Sequence, residues 1–290
     1  MPRLGIGNYI GFPGSMNQGS GSTTPPTYDP LYYSDDLVAW WHASATYLTV
    51  DGSNLVGAWE DKSGNNNNLA QSNANRKPTW DSTAQAVEFD NDLGNAYDDR
   101  MATDLTSSTT DNGASHLELN ATHSATGSND DGFSFGVIMK SSDWETENMA
   151  WMGHDSENNS AWRYATNPRI GFGLAESDIT GGVTKYTSFM GHSTFDPLGS
   201  DYVFIVGTVE HSTNSSSGNT EATTWINGTK VTDLGSGYTA DQKYMFVNQI
   251  GQRGGTHALE GFVKDMFIYR RKLSQTEIEN MYTWAQTRMS

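Results

Sequence analysis

The chain has 290 residues, 17 Lys and Arg against 34 Asp and Glu, a formal net charge of −17 and no cysteine. The lack of cysteine excludes a disulfide-stapled module and thiolate-ligated zinc or iron–sulfur centres, and the acidic balance repels nucleic-acid phosphates. Charged residues make up only 18% and aromatics 11%, with 30 glycines, which fits an all-β protein with long polar loops rather than a helical one.

Residues 1–36 stand apart in composition. They contain Pro2, Pro13, Pro25, Pro26 and Pro30, and their only basic residue is Arg3. Leu4, Ile6, Tyr9, Ile10 and Phe12 alternate with glycines, and Gly14–Thr27 has the composition of a flexible linker. Two readings fit this segment: a disordered terminus, or a sticky peptide on a tether that anchors the chain to a partner. The first residues lack a charged segment followed by an apolar run, so no secretory signal is visible. Apolar runs such as Tyr202–Gly207 fall far short of the ~20 residues that span a bilayer, so no membrane insertion is expected.

Residues 37–290 read as one continuous β domain. Phe133, Phe135, Val137 and Met139 alternate with Ser134, Gly136 and Ile138, the period of a strand with one strongly apolar face. Residues 201–211 are apolar on both faces, as in a central strand. Asn227-Gly228 between strand-like runs is a strong hairpin signal. Gly261–Tyr269 reads as a further strand, with Val263, Phe267 and Tyr269 sharing a face with Asp265. A helix follows: Ser274 and Glu277 fit a capping box, and Ile278, Met281, Tyr282 and Ala285 follow helical spacing.

The stretch 144–164 carries the residue types of a sugar site. Trp144, Trp151, Trp162 and Tyr164 offer flat aromatic faces, and Asn158 among them offers an amide for hydrogen bonds. The same tryptophans also fit the core of short strands. The seven histidines are scattered without metal-ligand spacing, and no G-x-S-x-G elbow or H-E-x-x-H helix occurs.

Several segments, in order, resemble one family. Trp59-Glu60-Asp61-Lys62-Ser63-Gly64-Asn65-Asn66-Asn67-Asn68 resembles the W-x-D-x-S-G-N-x-N signature of laminin G-like, concanavalin A-like jelly rolls. Residues 37–55, Ala86–Asp90, Phe133–Lys140, Tyr202–His211 with Trp225–Gly228, and Gly261–Ser274 with Glu277–Tyr282 resemble that family's successive strands and terminal helix. The wording is nearest to the branch found among phage virion proteins. The resemblance implies an all-β fold: a two-sheet antiparallel jelly-roll sandwich with an extended N-terminal arm (1–36) and one short C-terminal helix.

It also implies candidate sites and a role. Family members often hold calcium near the Asp-x-Ser-Gly loop and the last strand, which makes Asp61, Asn65, Asn67 and Asp265 candidate ligands for a structural calcium ion. Lys264 stands where the family has an acid and would compete with a cation. The Asp and Asn residues equally fit a tight turn. The E-x-D-x-x-E strand of related laminarinase-like enzymes is incomplete at Glu88-Phe89-Asp90 and at Glu176-Ser177-Asp178, so no catalytic residue is assigned and no enzymatic activity is expected. The implied role is a structural protein of a bacteriophage particle, such as a head fibre, decoration or tail-associated protein. It would assemble in the host cytoplasm onto other virion proteins through residues 1–36 and expose the jelly roll on the virion surface. There it could serve adhesion to glycans or to the host surface. A homo-oligomer is expected, a trimer being common for fibres, although no heptad supports it. A stand-alone carbohydrate-binding lectin is the alternative, and a glycoside hydrolase or lyase ranks third.

Overall fold

The computed structural model describes residues 27–90, 99–103, 109–111, 114–120, 132–141, 149–153, 161–165, 169–175, 184–185, 190–191, 201–210, 220–231, 244–253 and 257–290. The fold is all-β, a two-sheet antiparallel jelly-roll sandwich with one C-terminal helix. Leu4, Ile6, Tyr9, Ile10 and Phe12 of the expected arm lie outside the described residues.

One sheet has eight strands. Its order runs Thr229–Lys230, Glu221–Ile226, Val203–Glu210, Gly132–Lys140, Gly261–Tyr269, Ala86–Phe89 and Thr79–Asp81. The Gly261–Tyr269 strand is its axis. One edge pairs along its length with Gly132–Lys140. The other pairs with Ala86–Phe89 at the start and with Leu37–His42 at the end. The second sheet is built from thirteen mostly short strands, among them Val56–Trp59, Met149–Gly153, Ala161–Ala165 and Arg169–Ala175.

The alternation read from Phe133 to Met139 has a direct structural meaning. Phe133, Phe135, Val137 and Met139 enter the main core between the sheets, with Trp41, Trp59, Trp151, Ile205 and Met266. Ile138 points the other way, into a second apolar cluster under the helix (Gln275–Met289). That cluster joins Trp40, Phe204, Val206, Trp225, Phe267 and Tyr269 of the sheet to Leu273, Ile278, Met281, Trp284 and Ala285. The Val203–Glu210 strand is apolar on both faces because one meets the opposite sheet and the other meets this helix. Gly136 is required by that packing: a Cβ there would lie 1.9 Å from the Phe267 ring.

Two local details differ from expectation. The pairing register shifts between Val263 and Asp265, so Lys264 is an extra residue in a bulge. Alternation therefore reverses: Val263 faces the main core with Met266 and Ile268, whereas Phe267 and Tyr269 face the helix. Val263 thus does not share the outer face with Phe267. In the helix, Trp284 is buried while Tyr282 is only partly so.

Both hairpin residues take positive φ, 49° at Asn227 and 76° at Gly228, as a tight two-residue turn requires. Upstream, Pro30–Tyr33 forms a 3-10 turn capped by the Asp29 side chain. It belongs to the packed unit, since Tyr269 Oη donates to the Pro30 carbonyl at 2.7 Å and Tyr33 packs on the helix cluster.

Candidate functional site

The Trp59–Asn68 segment folds into a loop organised by one carboxylate. Asp61 Oδ1 accepts the backbone N–H groups of Trp40 (2.9 Å) and Ser63 (2.8 Å). Its Oδ2 accepts the Ser63 hydroxyl (2.7 Å) and the Asn67 N–H (3.0 Å). Asn65 and Asn67 turn their amide N–H groups toward the carbonyls of Leu37 and Val38, and the Asn67 carbonyl accepts Trp41 Nε1. The loop therefore ties itself to the Leu37–His42 strand.

Asp265 shares Trp40 with Asp61 but holds its indole rather than its backbone N–H, and its other partners differ. It is fully buried, and its Oδ1 accepts Trp40 Nε1 (2.9 Å) and lies 2.7 Å from His42 Nδ1. Its Oδ2 accepts Arg288 Nε at 2.9 Å from the end of the helix. Arg288 also donates to the Ala43 carbonyl, and Lys264 Nζ donates to the Arg288 carbonyl at 2.6 Å. A lysine on the last helical carbonyls satisfies orphan acceptors and complements the helix dipole.

Toward calcium this donor set is divided: Asn67 Oδ1 is buried without a hydrogen-bond partner among the described residues, whereas the two carboxylates are engaged. The lone pairs of Asp61 are taken by four donors, and Asp265 already pairs with a guanidinium. Calcium takes six to eight oxygen ligands. Among the described residues no group of three or more His, Asp or Glu is arranged to hold a metal. The loop is held as a turn, and Lys264 faces the helix end.

The aromatic candidates divide. Trp151 is fully buried in the main core, so it packs the sandwich and is not the expected sugar platform: its ring has no exposed face on which a pyranose could stack. It lies at a register shift between Ala150 and Met152 in the pairing of Met149–Gly153 with Ala161–Ala165. The backbone of Trp162 pairs with Met152 and Phe172, and that of Tyr164 with Met149 and Ile170, which sets both on one central strand of the second sheet. Trp144 and Asn158 lie outside the described residues, as do Glu176 and Asp178.

Sequence reasoning did not find the polar centre under Trp40. Trp40, His42, Tyr47 and Lys62 cluster there, with Lys62 Nζ 3.7 Å from the Trp40 ring centre and the rings of His42 and Tyr47 5.9 Å apart. Burial, outweighing the pull of Asp29 and Asp265, holds the Lys62 ammonium below its usual pKa. The Asp265–His42 pair has the geometry that orients an imidazole, but Arg288 neutralises the same carboxylate. The arrangement couples the helix end to the sheet; its chemistry is that of a latch. No sequence motif marks it, because its members lie at positions 40, 42, 47, 62, 265 and 288.

No family model matches the chain, and no curated protein matches it. Among solved structures, Trypanosoma rangeli sialidase in complex with sialic acid aligns with 85% of this chain and 32% of its own, at 14% identity and TM-score 0.42. The binding domain of Botulinum neurotoxin DC in complex with rat synaptotagmin II aligns over 87% of this chain and 52% of its own, at 13% identity and TM-score 0.47. A structure described as a receptor binding domain aligns over 90% of this chain and 53% of its own, at 13% identity and TM-score 0.45. The chain thus spans 32% to 53% of these proteins' length.

Proposed function

We propose that the chain is a non-enzymatic structural protein of a bacteriophage particle, anchored through residues 1–36 and exposing the jelly roll on the virion surface for adhesion to glycans or to the host. The observation that carries this reading is the use made of the buried carboxylates. Asp61 holds a loop to a strand and Asp265 holds a helix to a sheet, each with its oxygens filled by protein donors. These two carboxylates hold a rigid display scaffold and do not supply the free pair that hydrolysis of a glycosidic bond needs.

Two further features support the reading. The segments that resemble the virion branch of the jelly-roll family meet in one unit, with Gly261–Tyr269 at the axis of its sheet and the terminal helix packed on it. The formal charge of −17 suits a soluble exterior that resists aggregation. The test is incorporation: the chain should be present in purified particles and release no reducing ends from a polysaccharide panel. Absence from particles, or turnover of a polysaccharide, overturns the reading.

A further inference from the structure

We propose that a half-buried row of side chains on the outer face of the eight-stranded sheet, formed by Lys140, Phe262 and Glu88 with Tyr202 at its end, binds a neutral sugar. The proposal rests on the glycan-adhesion part of the reading above and gives it a site distinct from the 144–164 stretch.

The row follows from register. Phe262 pairs directly with Lys140 on one side and with Glu88 on the other. Their neighbours Met139, Val263 and Val87 all point into the main core, so alternation turns Lys140, Phe262 and Glu88 outward. Adjacent strands lie about 4.8 Å apart, which sets the backbones of Lys140 and Glu88 roughly 10 Å from each other across Phe262. Lys140 Nζ lies 4.4 Å from the Phe262 ring centre and 5.1 Å from that of Tyr202.

The polar groups of the row have bonding capacity to spare. Among the described residues neither Lys140 nor Glu88 has a hydrogen bond or ion pair through its side chain. Lys264, the other ammonium on Tyr202, is by contrast committed to the Arg288 carbonyl. The Tyr202 hydroxyl is buried without a hydrogen-bond partner among the described residues. Burial and the nearby Asp81 push its pKa up to about 12, so it stays a neutral donor. Burial, with Asp81 and Asp90, also raises the Glu88 carboxyl, while Lys140 opposes.

A part-exposed aromatic ring that carries the Lys140 ammonium on one face and is flanked by Glu88, neither with a hydrogen bond or ion pair through its side chain among the described residues, matches a pyranose that packs on the opposite face. The C–H face of the sugar packs on the ring, and its hydroxyls accept from Lys140 and donate to Glu88. Acidic sugars fit poorly, because Asp81 and Asp90 reinforce the negative potential on the Glu88 side.

The test uses the full chain, titrated calorimetrically with cellohexaose, maltohexaose and chitohexaose, and with hexagalacturonate as the acidic probe. At least one neutral oligosaccharide should bind with a Kd of about 1 mM or tighter. Phe262→Leu, which keeps apolar packing but removes the ring, should weaken it about tenfold. Glu88→Gln should weaken it several-fold, with the melting temperature of each variant checked against the parent. No binding of any neutral probe, tighter binding of hexagalacturonate, or binding unchanged in both variants overturns the proposal. Binding that Trp162→Ala abolishes and Phe262→Leu preserves overturns this site alone and leaves glycan adhesion standing. None of these variants touches residues 1–36, so particle incorporation reports separately on the anchor.

Discussion

At the residue scale, the engaged polar groups lock the helix and the loop to the sheet. Asp265 is fully buried and accepts from Trp40, His42 and Arg288. Asp265→Asn would leave the Arg288 guanidinium without its counter-charge at the end of the helix. Removing one partner of such a pair costs about 3 kcal/mol or more, and urea denaturation should report a loss of that order. Trp151→Ala should likewise cost about 3–5 kcal/mol, because the side chain fills the space between the sheets. A stable Trp151→Ala variant with impaired sugar binding would instead restore it as a platform. From sequence alone these two residues were not separable from their neighbours. Trp144, Trp151 and Trp162 have the same chemistry and similar surroundings in the chain, and only the distant strands packed on Trp151 decide its environment.

At the element scale the C-terminal helix carries the clearest correspondence between sequence and structure. Ser274 accepts the Glu277 N–H, and the Glu277 carboxylate accepts the Ser274 N–H and two hydrogen bonds from Arg271. Ser274→Ala should destabilise the protein by about 1 kcal/mol in thermal or urea unfolding. Burial alone would raise the Glu277 pKa, but the bonds from Arg271 and Ser274 prevail and hold it below the usual value. A carboxylate depressed on folding stabilises fully above its unfolded pKa of about 4.3 and loses that contribution as pH falls through the folded value. An acid titration followed by circular dichroism should therefore show a shallower stability loss in Glu277→Gln than in the parent below about pH 4.3. The capping box and the Asn-Gly turn were readable because each is a local rule between residues one to three positions apart. The bulge at Lys264 was not, since the extra residue is defined only against Ile138 and Met139 on the neighbouring strand. That one slip reversed the face assigned to Val263.

At the scale of the whole molecule, two sheets and a helix enclose two apolar clusters, one between the sheets and one beneath the helix. The fold class was accessible from composition, period-two alternation and the ordered resemblance. The helix layer explains the strand that reads apolar on both faces. The candidate sites were less accessible, because the Trp40–Asp265–Arg288 latch and the row across Phe262 join residues far apart in the chain. The central claim, a surface protein of a phage particle held by its N-terminal segment, is tested most directly by deleting residues 2–26. That deletion spares Pro30, whose carbonyl accepts the Tyr269 hydroxyl. Full-length and truncated chains would be supplied during particle assembly and quantified by mass spectrometry of purified particles. The account predicts that the full-length chain is incorporated, while the truncated chain melts at the same temperature in solution but is lost from the particles. Equal incorporation of the two, or the absence of both, would contradict it.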